Sequence, residues 1–245
     1  MKFIAVTTQN KRYHDKLGKQ SIDSFHKHWP REVPLHVFCE DFTFNNYDNI
    51  HCHTFDELDD DFRRFQETDY KKRIKIFSMK AFSWLKACTF EDVDRIIWLD
   101  SDVITYKDVT LDFLKELCPS SLLATYMGVV YDHKKSKQFG FEKLDKPVLC
   151  GETGFYITNK KHYWFEDFIA RYREYYVREY GASLRRFYDG DVFGACVTEF
   201  ERHGPIFRDL GNRSSNTIFG RTVLAEYMTH YKGKVKKSDD FQVKK

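Results

Sequence analysis

The stretch Asp94-Arg95-Ile96-Ile97-Trp98-Leu99-Asp100 sets the tightest limit on the fold. Its centre is continuously apolar and shows no polar alternation. A strand of that kind is buried on both faces, as in a mostly parallel sheet covered by helices. The residues before it agree. Phe3-Ile4-Ala5-Val6-Thr7 is a second short run of strand formers, and it ends in Thr8-Gln9-Asn10, which reads as a loop and helix start. A helix is predicted from about Arg12 to His28, stopped by Pro30. Val33 to Cys39 reads as the next strand, and Asn45 to His53 as a turn with a third short strand. From Tyr70 to Cys88 the apolar residues Ile74, Phe77, Ala81, Trp84, Leu85 and Cys88 recur at helical spacing. Strands alternating with helices in this order predict an α/β domain with crossover connections.

The second half is more mixed. Leu122 to Tyr131 reads as one or two strands, and Gly154 to Thr158 as another. Lys160 to Tyr180 and Asp191 to Arg202 read as helices, and Val223 to His230 as a late strand. No low-complexity linker interrupts the chain. The expectation is one domain over residues 1–236 and a polar, basic tail over 237–245.

Composition excludes several classes. The 245 residues suffice for one sizeable core, and a charged fraction of 31% with 42% hydrophobic residues argues against disorder. No apolar run reaches the length of about 18 residues that a membrane helix needs. The N-terminal stretch Met1 to Thr8 turns polar too early to hold the apolar centre of a signal peptide. The six cysteines form no C-x-x-C pair, so zinc-site spacing is absent, and reduced thiols in a cytoplasmic protein are expected. A net charge of +3, from 40 basic and 37 acidic residues, is too balanced to point to nucleic acid.

Two constellations carry chemistry. Asp100-Ser101-Asp102 follows the buried strand directly. Ligands of open α/β sheets bind beyond the carboxyl ends of strands. Two carboxylates two residues apart can converge there on a hard divalent cation, Mn²⁺ or Mg²⁺. The plain reading of the same residues is a solvated acidic turn. In the second constellation, His230-Tyr231-Lys232-Gly233-Lys234-Val235-Lys236, the histidine can add a nitrogen ligand. Gly233 lets the backbone pass close to a phosphate, and Lys236 can neutralise a diphosphate. Its plain reading is a surface histidine and a solvated basic tail.

Together these two motifs resemble those of GT-A-fold glycosyltransferases, specifically family 8, the glycogenin and lipopolysaccharide galactosyltransferase group. The resemblance implies a single GT-A-type (Rossmann-like) α/β domain with a mostly parallel central sheet flanked by helices. It implies that Asp100, Asp102 and His230 bind the metal, and that Gly233 and Lys236 meet the diphosphate of a nucleotide-sugar donor, expected to be a UDP-sugar. Val6 to Tyr13 is similar to the family's first nucleotide-binding loop, implying donor contacts from Thr7, Thr8 and Tyr13. The loop is one residue longer here than in glycogenin. Ser78 to Leu85 resembles the helix whose lysine, here Lys80, reaches the donor sugar and phosphate. Ser101 joins the donor-binding set, as do Glu152 and Thr153 in the strand that lines the sugar pocket.

Two departures stand out. The family's N-A-G is Glu152-Thr153-Gly154 here, a carboxylate in place of an amide. The family's D-Q-D is Asp189-Gly190-Asp191, without the glutamine that faces the anomeric carbon. Asp191 and Asp189 are the candidate catalytic carboxylates; their plain reading is an N-cap pair opening the next helix. The family's chemistry implies transfer with retention. Inversion is the alternative, with Asp191 as base. A non-catalytic sugar-nucleotide-binding module is the alternative of another class. The acceptor stays open among a glycan, a lipid-linked glycan, a protein and a modified nucleic acid. The clusters Lys134-Lys135-Ser136-Lys137 and Lys232 to Lys237 would suit a polyanion, but solvated lysines are the simpler explanation.

Overall fold

A computed structural model describes residues 1–44, 47–130, 149–178, 180–184, 187–211 and 219–231. Its frame is a seven-stranded sheet. Strands β1 (Phe3–Gln9), β2 (Leu35–Cys39), β3 (Ile50–Thr54) and β4 (Arg95–Leu99) lie side by side in the order β4-β1-β2-β3, all parallel. On the other edge of β4 comes β9 (Phe155–Asn159), then β6 (Ala124–Tyr126) and β10 (Phe207–Asp209). Four of the six neighbouring pairs are parallel, and both antiparallel pairs involve β9.

β4 is buried at every position, as its apolar run Ile96–Leu99 requires, and the buried Arg95 that opens it donates to the Cys118 carbonyl and the Asn159 side chain. Ile96 and Trp98 face one core, with Trp84 and Phe82 of α4 (Lys72–Cys88), Tyr172 of α6 (Phe165–Val177) and Phe193 of α7 (Asp189–Phe200). Ile97 and Leu99 face the other, with Ile22 and Phe25 of α2 (Lys19–His28) and Leu114 of α5 (Leu111–Leu117). The sheet is therefore covered on both sides, and its free space is at the carboxyl ends of the parallel strands.

Several elements differ from expectation for local reasons. β1 continues through Gln9, and the helix begins at Asn10, whose side chain accepts from the Tyr13 N–H at 2.8 Å. That helix is not uniform. α1 (Lys11–Tyr13) passes through a π-turn at His14–Gly18 before α2 begins. The side chain of Gln9 fills the widened turn, bonding His14 Nδ1 at 2.8 Å and the Gly18 carbonyl at 3.3 Å. A Cβ at position 18 would lie 2.6 Å from Gln9 Oε1, so a larger residue there would displace the Gln9 side chain from the turn.

Helix α3 (Asp60–Glu67) was not expected; it buries only Phe62 and Phe65 and is capped by Asp59. The late strand shrinks to β11 (Met228–His230), because Thr222 caps a tight turn over Val223–Glu226. Asp189 and Asp191 do not cap α7. Tyr188 occupies that position, and both aspartates lie buried in the first helical turn. There they favourably meet the positive end of the helix dipole. The tail 232–245 lies outside the described residues, as do both lysine clusters. Cys39, Cys52, Cys88, Cys118 and Cys196 are free thiols. Among the described residues no helix is long and apolar enough to cross a membrane.

Candidate active site

The direction of β9 builds the site. Because β9 runs antiparallel to β4, Leu99 at the end of one strand faces Phe155 at the start of the other. The chain leaving β4 therefore meets the chain approaching β9, and the Asp100 N–H donates to the Gly154 carbonyl at 2.9 Å. After a turn closed by the Val103 N–H on the Asp100 carbonyl (3.0 Å), β5 (Val103–Thr105) pairs antiparallel with β11. The register sets His230 opposite Val103, and the Tyr231 N–H bonds the Asp102 carbonyl at 3.0 Å. The backbone alone thus delivers His230 onto the Asp100–Asp102 turn.

His230 Nε2 lies 3.0 Å from Asp102 Oδ1 and 3.5 Å from Asp100 Oδ2. One ligand atom from each of the three residues lies within 4.8 Å of the others. Neighbouring ligands on an octahedral ion with bonds of about 2.1 Å stand about 3 Å apart, so the donor set fits a divalent cation. Its burial points the same way. Asp102 is 3% exposed, and a buried carboxylate needs a compensating charge. Burial drives the Tyr13 hydroxyl far above the ordinary tyrosine value, and the charge and hydrogen bond of Asp102, then the charge of Asp100, push it further. Tyr13 therefore faces the acidic pair as a neutral phenol.

His230 is held from behind by Gly154. A Cβ on that residue would lie 2.4 Å from His230 Nδ1 and 2.5 Å from Cε1. Glu152 Oε1 stands 3.6 Å from the same nitrogen, so a carboxylate backs the imidazole. Gly154→Ala is expected to push the ring off its position. Disturbing the support of a ligating histidine typically costs about 10–100-fold in metal affinity, which calorimetric Mn²⁺ titration would read. Unchanged Mn²⁺ affinity in this variant would refute the His230 assignment.

Lys80 binds the two acidic elements together. Its ammonium contacts Asp100 Oδ1 at 2.6 Å and Asp189 Oδ2 at 2.9 Å, and donates to the Thr153 carbonyl. Burial pulls this ammonium down, but Asp100 and Asp189 outweigh it, and the net direction is up. Lys80 is thus a fixed cation. The Thr153 hydroxyl donates to Asp189 Oδ2 at 2.5 Å, and Trp98 Nε1 donates to Asp100 Oδ1 at 2.9 Å.

These groups line one cavity of about 700 Å³. Of the residues singled out in the sequence, Thr8, Tyr13, Lys80, Asp100, Ser101, Asp102, Glu152, Thr153, Asp189, Asp191 and His230 all reach it. Thr7 does not; it is buried within β1, where alternation sends it and Thr8 to opposite faces. Gly233 and Lys236 lie outside the described residues. The cavity also takes in Glu40 at the end of β2, and Phe55, Arg73, Ile76, Phe77 and Tyr188 along one rim. Of these, Arg73 and Phe77 could have been picked out, because they precede Lys80 by seven and three residues on one helix face. Glu40 and Tyr188 carry no such signal.

No protein-family model matches the chain, and no curated protein matches it. Solved structures do. An active-site mutant of LgtC aligns with a TM-score of 0.60 at 16% identity, covering 94% of this chain and 87% of that one. The galactosyltransferase LgtC in complex with donor and acceptor sugar analogues gives 0.56 at 14% identity over the same shares. Mouse xyloside xylosyltransferase 1 gives 0.55 at 14% identity, over 91% of each chain. The bifunctional glycosyltransferase WbbM gives 0.56 at 14% identity over 94% of this chain, which spans only 46% of WbbM. The chain has the GT-A glycosyltransferase fold and resembles the family 8 group.

Proposed function

We propose that this protein is a metal-dependent glycosyltransferase. It would move a sugar from a nucleoside-diphosphate sugar, a UDP-sugar by the resemblance, to an acceptor hydroxyl with retention. One observation carries the reading: Asp100, Asp102 and His230 converge within 4.8 Å on the wall of a large cavity beyond the parallel strands. A divalent ion bound there supplies positive charge against a diphosphate leaving group. The nitrogen donor of His230 favours Mn²⁺ over Mg²⁺, whose ligands are oxygens.

The chain's own groups have matching roles. Lys80 holds a second positive charge on the same wall, preorganised by Asp100, Asp189 and Thr153. Thr8 near the end of β1 and Tyr13 at the end of α1 both line the cavity and would contact the nucleoside. Glu152 and Thr153 are placed to accept hydrogen bonds from donor-sugar hydroxyls, and Ser101 lies between the two metal-binding carboxylates. Asp189 and Asp191 put negative charge where an oxocarbenium-like carbon would develop. Asp189 is already engaged by Lys80 and Thr153, which suits charge stabilisation better than proton abstraction. In retention the departing phosphate can take the acceptor proton. Gly233 and Lys236 remain candidates for the diphosphate by their motif alone.

The test is nucleotide release from a panel of UDP- and GDP-sugars, with Mn²⁺ or with EDTA. Mn²⁺-dependent release from one UDP-sugar is expected, and NMR of the transfer product should show a retained anomeric configuration. An inverted product would instead make Asp191 the base. If no donor is hydrolysed and none binds calorimetrically in the presence of Mn²⁺, the glycosyltransferase reading fails.

A further inference from the structure

Where the exposed residues Arg73 and Ile76 line the cavity, its rim differs in chemistry from the carboxylate cluster. Six carboxylates line the cavity: Glu40, Asp100, Asp102, Glu152, Asp189 and Asp191. Against them stand two permanently basic side chains, Lys80 and Arg73. Lys80 is saturated by Asp100 and Asp189. Among the described residues Arg73 has no carboxylate partner. Its guanidinium lies 4.8 Å from the centroid of the Tyr188 ring and 5.8 Å from that of Phe77. The two rings are 4.6 Å apart, so the stack ties α4 to the residue that opens α7.

A guanidinium laid on aromatic faces is fixed in orientation while its edge N–H groups stay available. Those N–H groups suit a carboxylate or phosphate, which arginine grips with two parallel hydrogen bonds. Arg73 precedes Lys80 by seven residues on the same helix face, about 10.5 Å along the axis. That separation sets it apart from the metal ligands and from the place of a donor diphosphate. Beside it, Ile76 is 51% exposed, an apolar surface at the cavity mouth.

We propose that this rim is the acceptor subsite and that the acceptor is a saccharide bearing a carboxylate or phosphate. Arg73 grips the anion, and the sugar ring lies against Tyr188 and Ile76. The proposal rests on the glycosyltransferase reading and names the substrate class for it. A polyanion such as nucleic acid fits less well, because six carboxylates in the cavity repel a row of phosphates while the one Arg73 guanidinium takes one anion.

The experiment is calorimetric titration of the protein, saturated with UDP and Mn²⁺, with glucose, glucuronate and glucose 6-phosphate. Saturating UDP keeps the phosphosugar out of the diphosphate site. At least one charged sugar is expected to bind about tenfold to a hundredfold more tightly than glucose, the range of hydrogen bonds to charged groups. Preference for glucuronate assigns a carboxylate acceptor, and preference for glucose 6-phosphate a phosphorylated one. Arg73→Ala should abolish the preference and leave UDP affinity at the wild-type value. Arg73→Lys, with charge but no fork, should restore only part of it. Equal binding of charged and neutral sugars, no binding of any of them, or a preference that survives Arg73→Ala overturns the proposal. Loss of UDP affinity in Arg73→Ala would move Arg73 to the donor site and overturn it as well. Failure of the unmodified protein to bind UDP with Mn²⁺ would instead count against the glycosyltransferase reading itself.

Discussion

Asp102→Asn is expected to remove most Mn²⁺-dependent donor turnover while leaving the metal-free protein at least as stable as the wild type. The two effects have opposite signs because one charge serves two balances. On the proposed function the Asp102 carboxylate is a ligand in the metal-bound protein, and a bound ion at such a site contributes several kcal/mol of transition-state stabilisation. Losing about 3–4 kcal/mol slows turnover by about 10²–10³-fold. Without metal, the same carboxylate is a charge that is 3% exposed beside the equally buried side chain of His230. Replacing it with a neutral isostere relieves that burial. Melting curves with and without Mn²⁺ separate the two balances. Saturating metal, at about 100 times Kd, should add about 2.7 kcal/mol to the wild type. The variant should gain much less. Equal Mn²⁺ stabilisation of both proteins would exclude Asp102 as a ligand.

Lys80→Ala should have the largest effect on folding. The ammonium sits between Asp100 and Asp189, whose side chains are only 26% and 5% exposed. Removing one member of a buried ion network leaves uncompensated charge and costs about 3–5 kcal/mol. For a chain of this size that corresponds to a fall in Tm of about 6–20 °C. Lys80→Met, which keeps the volume, should fall nearly as far, since charge is the missing element. Adding Asp189→Asn to Lys80→Ala should recover part of the loss, and the double-mutant cycle measures that coupling. Mn²⁺ should also narrow the deficit, because it supplies Asp100 with another cation. A Tm within a degree or two of the wild type would show that the network is solvated rather than buried.

The parts of this molecule that can be read from sequence are those whose burial is locally encoded. β4 betrays itself because every residue from Ile96 to Leu99 must be apolar. α4 does so through its repeating apolar face. α3 hides because its amphipathic signal amounts to Phe62 and Phe65 in a charged string. Apolar residues at 223–225 suggest extension, yet Thr222 folds them into a capped turn. Strand direction is not encoded locally at all, so nothing in Phe155–Asn159 announced that β9 opposes its neighbours.

The same division runs through the site. Asp100, Asp102 and Lys80 follow from residue type, spacing and resemblance to a known motif. Gly154 sits within a recognised stretch, but its reason is the His230 ring behind it, a contact between segments 76 residues apart. Arg73 offers only its spacing from Lys80 on one helix face, a weak signal because exposed lysines and arginines are common on helices. Its meaning comes from Tyr188, which arrives from α7.

His230 reaches the Asp100–Asp102 turn on β11, the last described strand, from 130 positions further along the chain. Contacts that distant in sequence form late, and synthesis proceeds from the N-terminus. A growing chain can therefore assemble β1 to β4 and present two carboxylates well before the imidazole has been made. Two oxygen ligands on a turn hold a divalent ion weakly. Tight capture of an ion by this donor set would therefore wait for the imidazole, and ion retention would become a chemical record that synthesis has passed residue 230.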